Sequence, residues 1–223
     1  MTRRRSVQLG VGLVLYAVSV ALLVRAGLGN MPWVVLSQGI SRQVGWSLGM
    51  TTLAVSGVVL LCWLPLRQRP GVGTVANVLV IGLLIDPVMA VLGLLPDPLP
   101  TWPAVAMTVT GIAVNGLATA LYIGARMGPG PRDGLMTGLV ARTGLSVLLV
   151  RSTIEVVVVA SGWLLGGTVG LGTLGYVLGI GPVVHVLMPR FALPDVAPRA
   201  VRTGTARVGT PVAGTGAGSG PPA

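Results

Sequence analysis

The chain has 223 residues, 52% of them hydrophobic and 9% charged, with a mean hydropathy of +0.86. That composition leaves too little polar surface to clothe a soluble domain of this size, and so excludes one. The net charge of +10 comes from arginine alone; the arginines fall between apolar runs rather than in one basic patch, so they read as orientation signals and not as a nucleic-acid interface.

Apolar stretches over about 7–24, 46–66, 72–95, 102–124, 145–165 and 171–188 each approach the roughly 20 residues a spanning helix needs, and predict six transmembrane helices. Arg3, Arg4 and Arg5 precede the first run, which is long and lacks a small-residue cleavage site; a retained anchor is expected. With the N-terminus inside, the inner segments hold Arg3, Arg4, Arg5, Arg67, Arg69, Arg126, Arg132, Arg142 and Arg190, against Arg25 and Arg42 with Asp97 outside. Both termini are therefore expected to be cytoplasmic. The lone Cys62 lies in an apolar run and reads as an inert thiol. From Asp195 onward Pro, Gly, Thr and Ala with scattered Arg predict a disordered cytoplasmic tail over 195–223.

Sliding the sequence on itself by about 99 residues aligns Gly12 with Gly111, Gly29 with Gly128, Pro32 with Pro131 and Gly45 with Gly144. It also aligns Ser47 with Ser146, Gly71 with Gly170, Gly73 with Gly172 and Thr74 with Thr173. These residue types set turns, helix starts and close helix contacts, so their register carries more weight than apolar matches would. The chain divides into a first three-span repeat over 1–100 and a second over 101–194. An odd number of spans per copy makes the second enter the membrane from the opposite side. The expected fold is all-α, six transmembrane helices as two inverted repeats, an architecture common among transporters with a site between the halves.

Between the first and second span of each copy stand GLGNMPWVVLSQGISRQVG (27–45) and GPGPRDGLMTGLVARTG (128–144). Each has a Gly/Pro opening, an apolar-periodic stretch and a closing Gly, which predicts a short helix beginning at Pro32 or Pro131. If these helices dip into the bilayer, their N-termini present backbone N–H groups and a positive dipole end to an anion. Gly128, Gly130, Arg132, Asp133 and Asn30 are then the candidate substrate contacts. If they lie along the surface instead, Arg132, Asp133 and Arg142 need not be buried, and Trp33 suits either placement.

Within the spans, Arg151 and Glu155 lie four apart on one helical face, either as a structural ion pair or as charges on a wet pathway. Asp86, beside Pro87, falls opposite His185, near Pro182, in the repeat register. Asn77 and Asn115 read as interhelical hydrogen-bonding residues. One His and one Cys make no closed metal site, and no nucleophile–base spacing or phosphate loop appears, so no catalysis, metal or cofactor is expected.

The segment GPGPRDGLMTGLVARTG with Arg151 to Glu155, GWLLGG (162–167) and GLGT (170–173), together with MPWVVLSQGIS (31–41) and WLPLRQRPGVGT (63–74), resembles the bacterial YczE/YyaS/YitT-like integral membrane proteins over about 7–190. The resemblance implies a bacterial cytoplasmic membrane location and carries over no site residues. Two functions follow as expectations: a small-molecule permease or exporter acting on an unknown solute, or a non-transporting accessory protein supporting a biosynthetic or secretion complex. Small-residue helix faces permit a homodimer or a membrane-protein partner.

Overall fold

The computed structural model describes residues 3–194, and the expected tail at 195–223 lies outside them. Among the described residues are eight helices and no strand: α1 (Arg3–Ala26), α2 (Pro32–Val44), α3 (Leu48–Leu66), α4 (Val72–Leu92), α5 (Thr101–Gly124), α6 (Pro131–Thr143), α7 (Val147–Leu164) and α8 (Leu171–Phe191). Six of them, all but α2 and α6, are long and apolar enough to cross a membrane. Large apolar side chains lie exposed on the outer helices, among them Leu61, Leu64, Leu83, Leu164 and Leu178. In water such a surface would be an aggregation liability; against lipid tails it is the proper solvent contact.

Local chemistry sets the boundaries. Pro32 and Pro131 open α2 and α6, where the missing N–H costs nothing. Gly45 and Gly144 close them in left-handed conformation, their N–H groups bonding back to the Ser41 and Val140 carbonyls. Ser47 and Ser146 then cap α3 and α7, their hydroxyls accepting from the Met50 and Leu149 N–H groups.

The 99-residue register extends to the backbone. Every described residue with positive φ pairs with another at that offset: Gly27 with Arg126, Gly29 with Gly128, Gly45 with Gly144, and Arg67 with Gly166. So do the joints between halves. Gly73 N–H donates to the Met127 carbonyl at 2.8 Å, and Gly172 N–H to the Leu28 carbonyl at 2.7 Å. Gly29, at φ +120, leaves no room for a side chain, since a Cβ there would stand 2.7 Å from the Gly170 nitrogen. Each α1–α2 or α5–α6 linker thus locks onto the first turn of the other half's last helix.

At the centre α1 rises as α5 descends. Gly12 lies against Tyr122, Ser19 bonds Asn115, and Gly111 abuts Leu23. Around this pair, α4 packs on α1, α8 on α5, α7 on α2 and α3 on α6. The buried apolar centre includes Leu13, Ala17, Val20, Met31, Ile81 and Ile85.

Because α2 follows the C-terminal end of α1 and α6 that of the antiparallel α5, the two short helices leave from opposite ends of a pair about 36 Å long. Yet the Arg132 guanidinium stands 5.1 Å from the Trp33 ring centre, and the Tyr16 hydroxyl, halfway along α1, lies 3.8 Å from the Met31 sulfur. Two side chains cannot bridge the length of that pair. Both linkers therefore turn back, and α2 and α6 begin inside the bundle rather than lying across its ends.

Candidate functional site

The starts of α2 and α6 meet at a cavity of about 630 Å³ to which all eight helices contribute. From α6 come Gly130, Pro131, Arg132 and Asp133; from α7, Arg151 and Glu155; from α8, Tyr176 and His185. Tyr16, Tyr122, Asn77, Thr52, Ser56 and Thr119 add to the polar part, and Val20, Ile81, Ile85, Ile154 and Ile180 are among the apolar part.

The charged groups that argued against burying α6 are each partnered. Arg132 stacks on Trp33 and reaches the Tyr16 hydroxyl at 3.5 Å, a cation–π contact that tolerates partial desolvation. Asp133 accepts from the Tyr122 hydroxyl at 2.8 Å. Arg142, at the other end of α6, donates to the Pro65 carbonyl. Trp63 fixes the helix start, its indole N–H donating to the Pro131 carbonyl at 3.0 Å in a buried contact. Arg151 and Glu155 pair at 3.1 Å on α7 at the cavity wall, the arginine exposed and the glutamate partly buried.

One position faces the cavity with polarity to spare. Thr52 is 5% exposed, and its Oγ1 makes no hydrogen bond among the described residues. Tyr176 donates to Asn115 Oδ1 at 3.0 Å while Asn115 donates to Ser19 at 2.7 Å, a buried chain joining α8, α5 and α1. The chamber therefore offers two positive and two negative side chains, aromatic and aliphatic surface, and the positive ends of two helix dipoles.

The structure separates the candidates read from sequence. Gly130, Arg132, Asp133, Arg151, Glu155 and His185 share the cavity. Asp86 does not: it accepts from the Ser47 hydroxyl at 2.5 Å and the Gly49 N–H at 2.8 Å, capping α3 from α4. Gly128 packs against Gly71 and Thr74, and Asn30 bonds Gln38 and the Thr168 carbonyl, so both serve the linker joints. The three tyrosines, Thr52 and Ser56 were not singled out by sequence. Thr52 and Ser56 were findable, since they stand 99 residues before Arg151 and Glu155.

A helical bundle with six apolar helices of spanning length, exposed apolar flanks and a charged interior is a polytopic membrane protein. The chain belongs to the family of unknown function DUF6198, whose profile matches residues 3–189. It is 39% identical over 183 residues to an uncharacterized protein of Haemophilus influenzae, covering 80% of this chain and 83% of that one. It is similar as well to the uncharacterized membrane protein YczE of Bacillus subtilis, 27% identical over 187 residues (82% and 83% covered), and to YyaS of the same organism, 24% identical over 181 residues (81% and 90% covered). No solved structure matches the chain.

Proposed function

We propose that the protein is a small-molecule permease or exporter of a bacterial cytoplasmic membrane, built as two inverted halves, with both termini cytoplasmic and its substrate held in the central cavity. The observation that carries this reading is the convergence of two short-helix starts, one from each half, on a single charged chamber. Inverted halves with discontinuous elements at mid-bundle are the arrangement by which alternating access works in other transporters. The antiparallel α1–α5 pair and the linker joints repeated at a 99-residue offset support the inversion.

In this reading Arg132 and Arg151 hold an anionic group, Glu155 and Asp133 a cationic one, and the stacking of Arg132 on Trp33 keeps the guanidinium extended into the chamber. The test has two stages. Comparing metabolites and secreted products of cells with and without the protein identifies the solute; flux of that solute is then measured in proteoliposomes. Arg132→Gln and Glu155→Gln each lower flux by about tenfold or more with folding intact, as expected when a charged hydrogen bond is lost. Unaltered flux in both variants, or a stable co-purifying partner whose function survives both, overturns the proposal in favour of an accessory role.

A further inference from the structure

The two halves differ most in one packing contact. In the first, α3 lies along α4: a Cβ on Gly82 would strike Leu53, Gly49 sits on the Gly82 carbonyl, and Asp86 caps the start of α3. In the second, the equivalent helices α7 and α8 are barely in contact. The reason is written in the register. Where the first half has Gly49, Leu53 and Asp86, the second has Leu148, Ser152 and His185. Leu148 is too large for backbone approach and is 76% exposed, Gly181 has nothing within 4 Å, and an imidazole cannot replace a carboxylate accepting two bonds at a helix start.

The resulting gap is a groove of about 620 Å³ between α7 and α8. Its walls are almost wholly apolar, with Val156, Trp163 and Leu174 on the bilayer side, and Pro32, Glu155 and Val177 line both the groove and the central cavity. The polarity thus runs in one direction, from hydrocarbon at the outside to paired charges of both signs within.

We propose that this gap is a lateral portal, and that the substrate is a single-chain amphiphile with a zwitterionic head group drawn from the bilayer. Its chain lies in the α7–α8 groove and its head reaches the Arg151–Glu155 pair and, beyond it, Arg132 and Asp133. Two charges of each sign in the chamber match a zwitterion, and an apolar groove continuous with that chamber matches one attached chain. A soluble solute would use the chamber and leave the groove without a role. This inference rests on reading the cavity as the substrate site.

The test uses the full chain in vesicles of phosphatidylcholine and phosphatidylglycerol, with a lysophosphatidylcholine carrying a diazirine in its acyl chain. Photolabelling mapped by mass spectrometry is expected to concentrate on 156–163 and 174–177. Excess unlabelled lysophosphatidylcholine displaces it; water-soluble glycerophosphocholine does not. Arg151→Gln combined with Glu155→Gln lowers groove labelling by about tenfold. Labelling spread evenly over the lipid-facing helices, or insensitive to competitor, overturns the portal, and so do crosslinks between two copies through α7 and α8, which would mean that a second chain covers the gap. If the groove stays unlabelled while a water-soluble solute is transported with dependence on Arg132 and Glu155, the portal fails and the transport reading stands. Mapping the wild-type protein needs no substitution, so misfolding cannot obscure the outcome.

Discussion

Replacing Gly29 and Gly27 by alanine separates backbone strain from steric exclusion within one linker. At Gly27 φ is +71 and nothing lies within 4 Å of where a Cβ would stand, so Gly27→Ala incurs only the left-handed penalty, about 1 kcal/mol. At Gly29 φ is +120, beyond the left-handed well, and the strain is about 1–3 kcal/mol. The new methyl would also stand 2.7 Å from the Gly170 nitrogen and 2.8 Å from the Thr173 nitrogen, both backbone atoms at the start of α8. Forcing them apart adds about 1–3 kcal/mol. The sum for Gly29→Ala is about 2–6 kcal/mol. For a chain of this length each kcal/mol lowers Tm by about 2–4 °C, so Gly27→Ala should fall by that amount and Gly29→Ala by at least about twice as much. Gly128→Ala belongs between them, because its nearest neighbours stand farther off, the Thr74 hydroxyl at 3.0 Å and the Gly71 Cα at 3.1 Å. Thermal unfolding in detergent, followed by tryptophan fluorescence, measures the series. Equal losses at 27 and 29 would refute the claim that the linker is locked against α8.

Arg67 holds the left-handed position that Gly166 fills in the other half, so Arg67→Gly should raise stability by about 0.5–1 kcal/mol, readable as a higher Tm in the same assay. Trp63→Phe removes the buried donor to the Pro131 carbonyl and should cost about 1–3 kcal/mol; flux should fall with it, because that bond sets where α6 begins. Asp86→Asn weakens the α3 cap by about 0.5–2 kcal/mol in the Tm measurement and, under the proposed transport function, leaves solute affinity unchanged, whereas His185→Gln should do the reverse.

The spans and short helices were legible because each boundary rests on a residue type with a single mechanical use: Pro at a first turn, Gly where φ is positive, Ser at a cap. The register was legible for the same reason. What the sequence left open was whether α2 and α6 lie on the bundle or in it, because Arg132 and Asp133 look costly to bury when their partners are unknown. Those partners, Trp33, Tyr16 and Tyr122, come from three other places in the chain. Tyr16 and Tyr122 pack edge to face across α1 and α5, a contact fixed by tertiary packing and not by any local pattern. Asp86 and His185 illustrate the opposite error: equivalent in register, they share no task, because α4 packs along α3 and lets Asp86 cap its start while α8 is barely in contact with α7.

The positions where the halves agree and those where they differ divide by function of place. Glycines 29 and 128, prolines 32 and 131 and threonines 74 and 173 build the joints, and a backbone constraint admits few alternatives. At the chamber the register pairs Trp33 with Arg132, Thr52 with Arg151, Ser56 with Glu155 and Asn77 with Tyr176, and it pairs His185 of the chamber with Asp86 outside it. Each pair places a neutral or capping group in one half against a charged or aromatic one in the other. A site with equivalent groups on both sides of a pseudo-axis would be matched to a symmetric ligand. Placing the Arg151–Glu155 pair on α7, beside the α7–α8 gap, gives the chamber a charged wall and, under the proposed portal, a direction of approach. The exchanges at 148, 152 and 185 thus opened the α7–α8 gap while separate exchanges at 151 and 155 placed charges behind it, which is why the scaffold is repeated and the site is not.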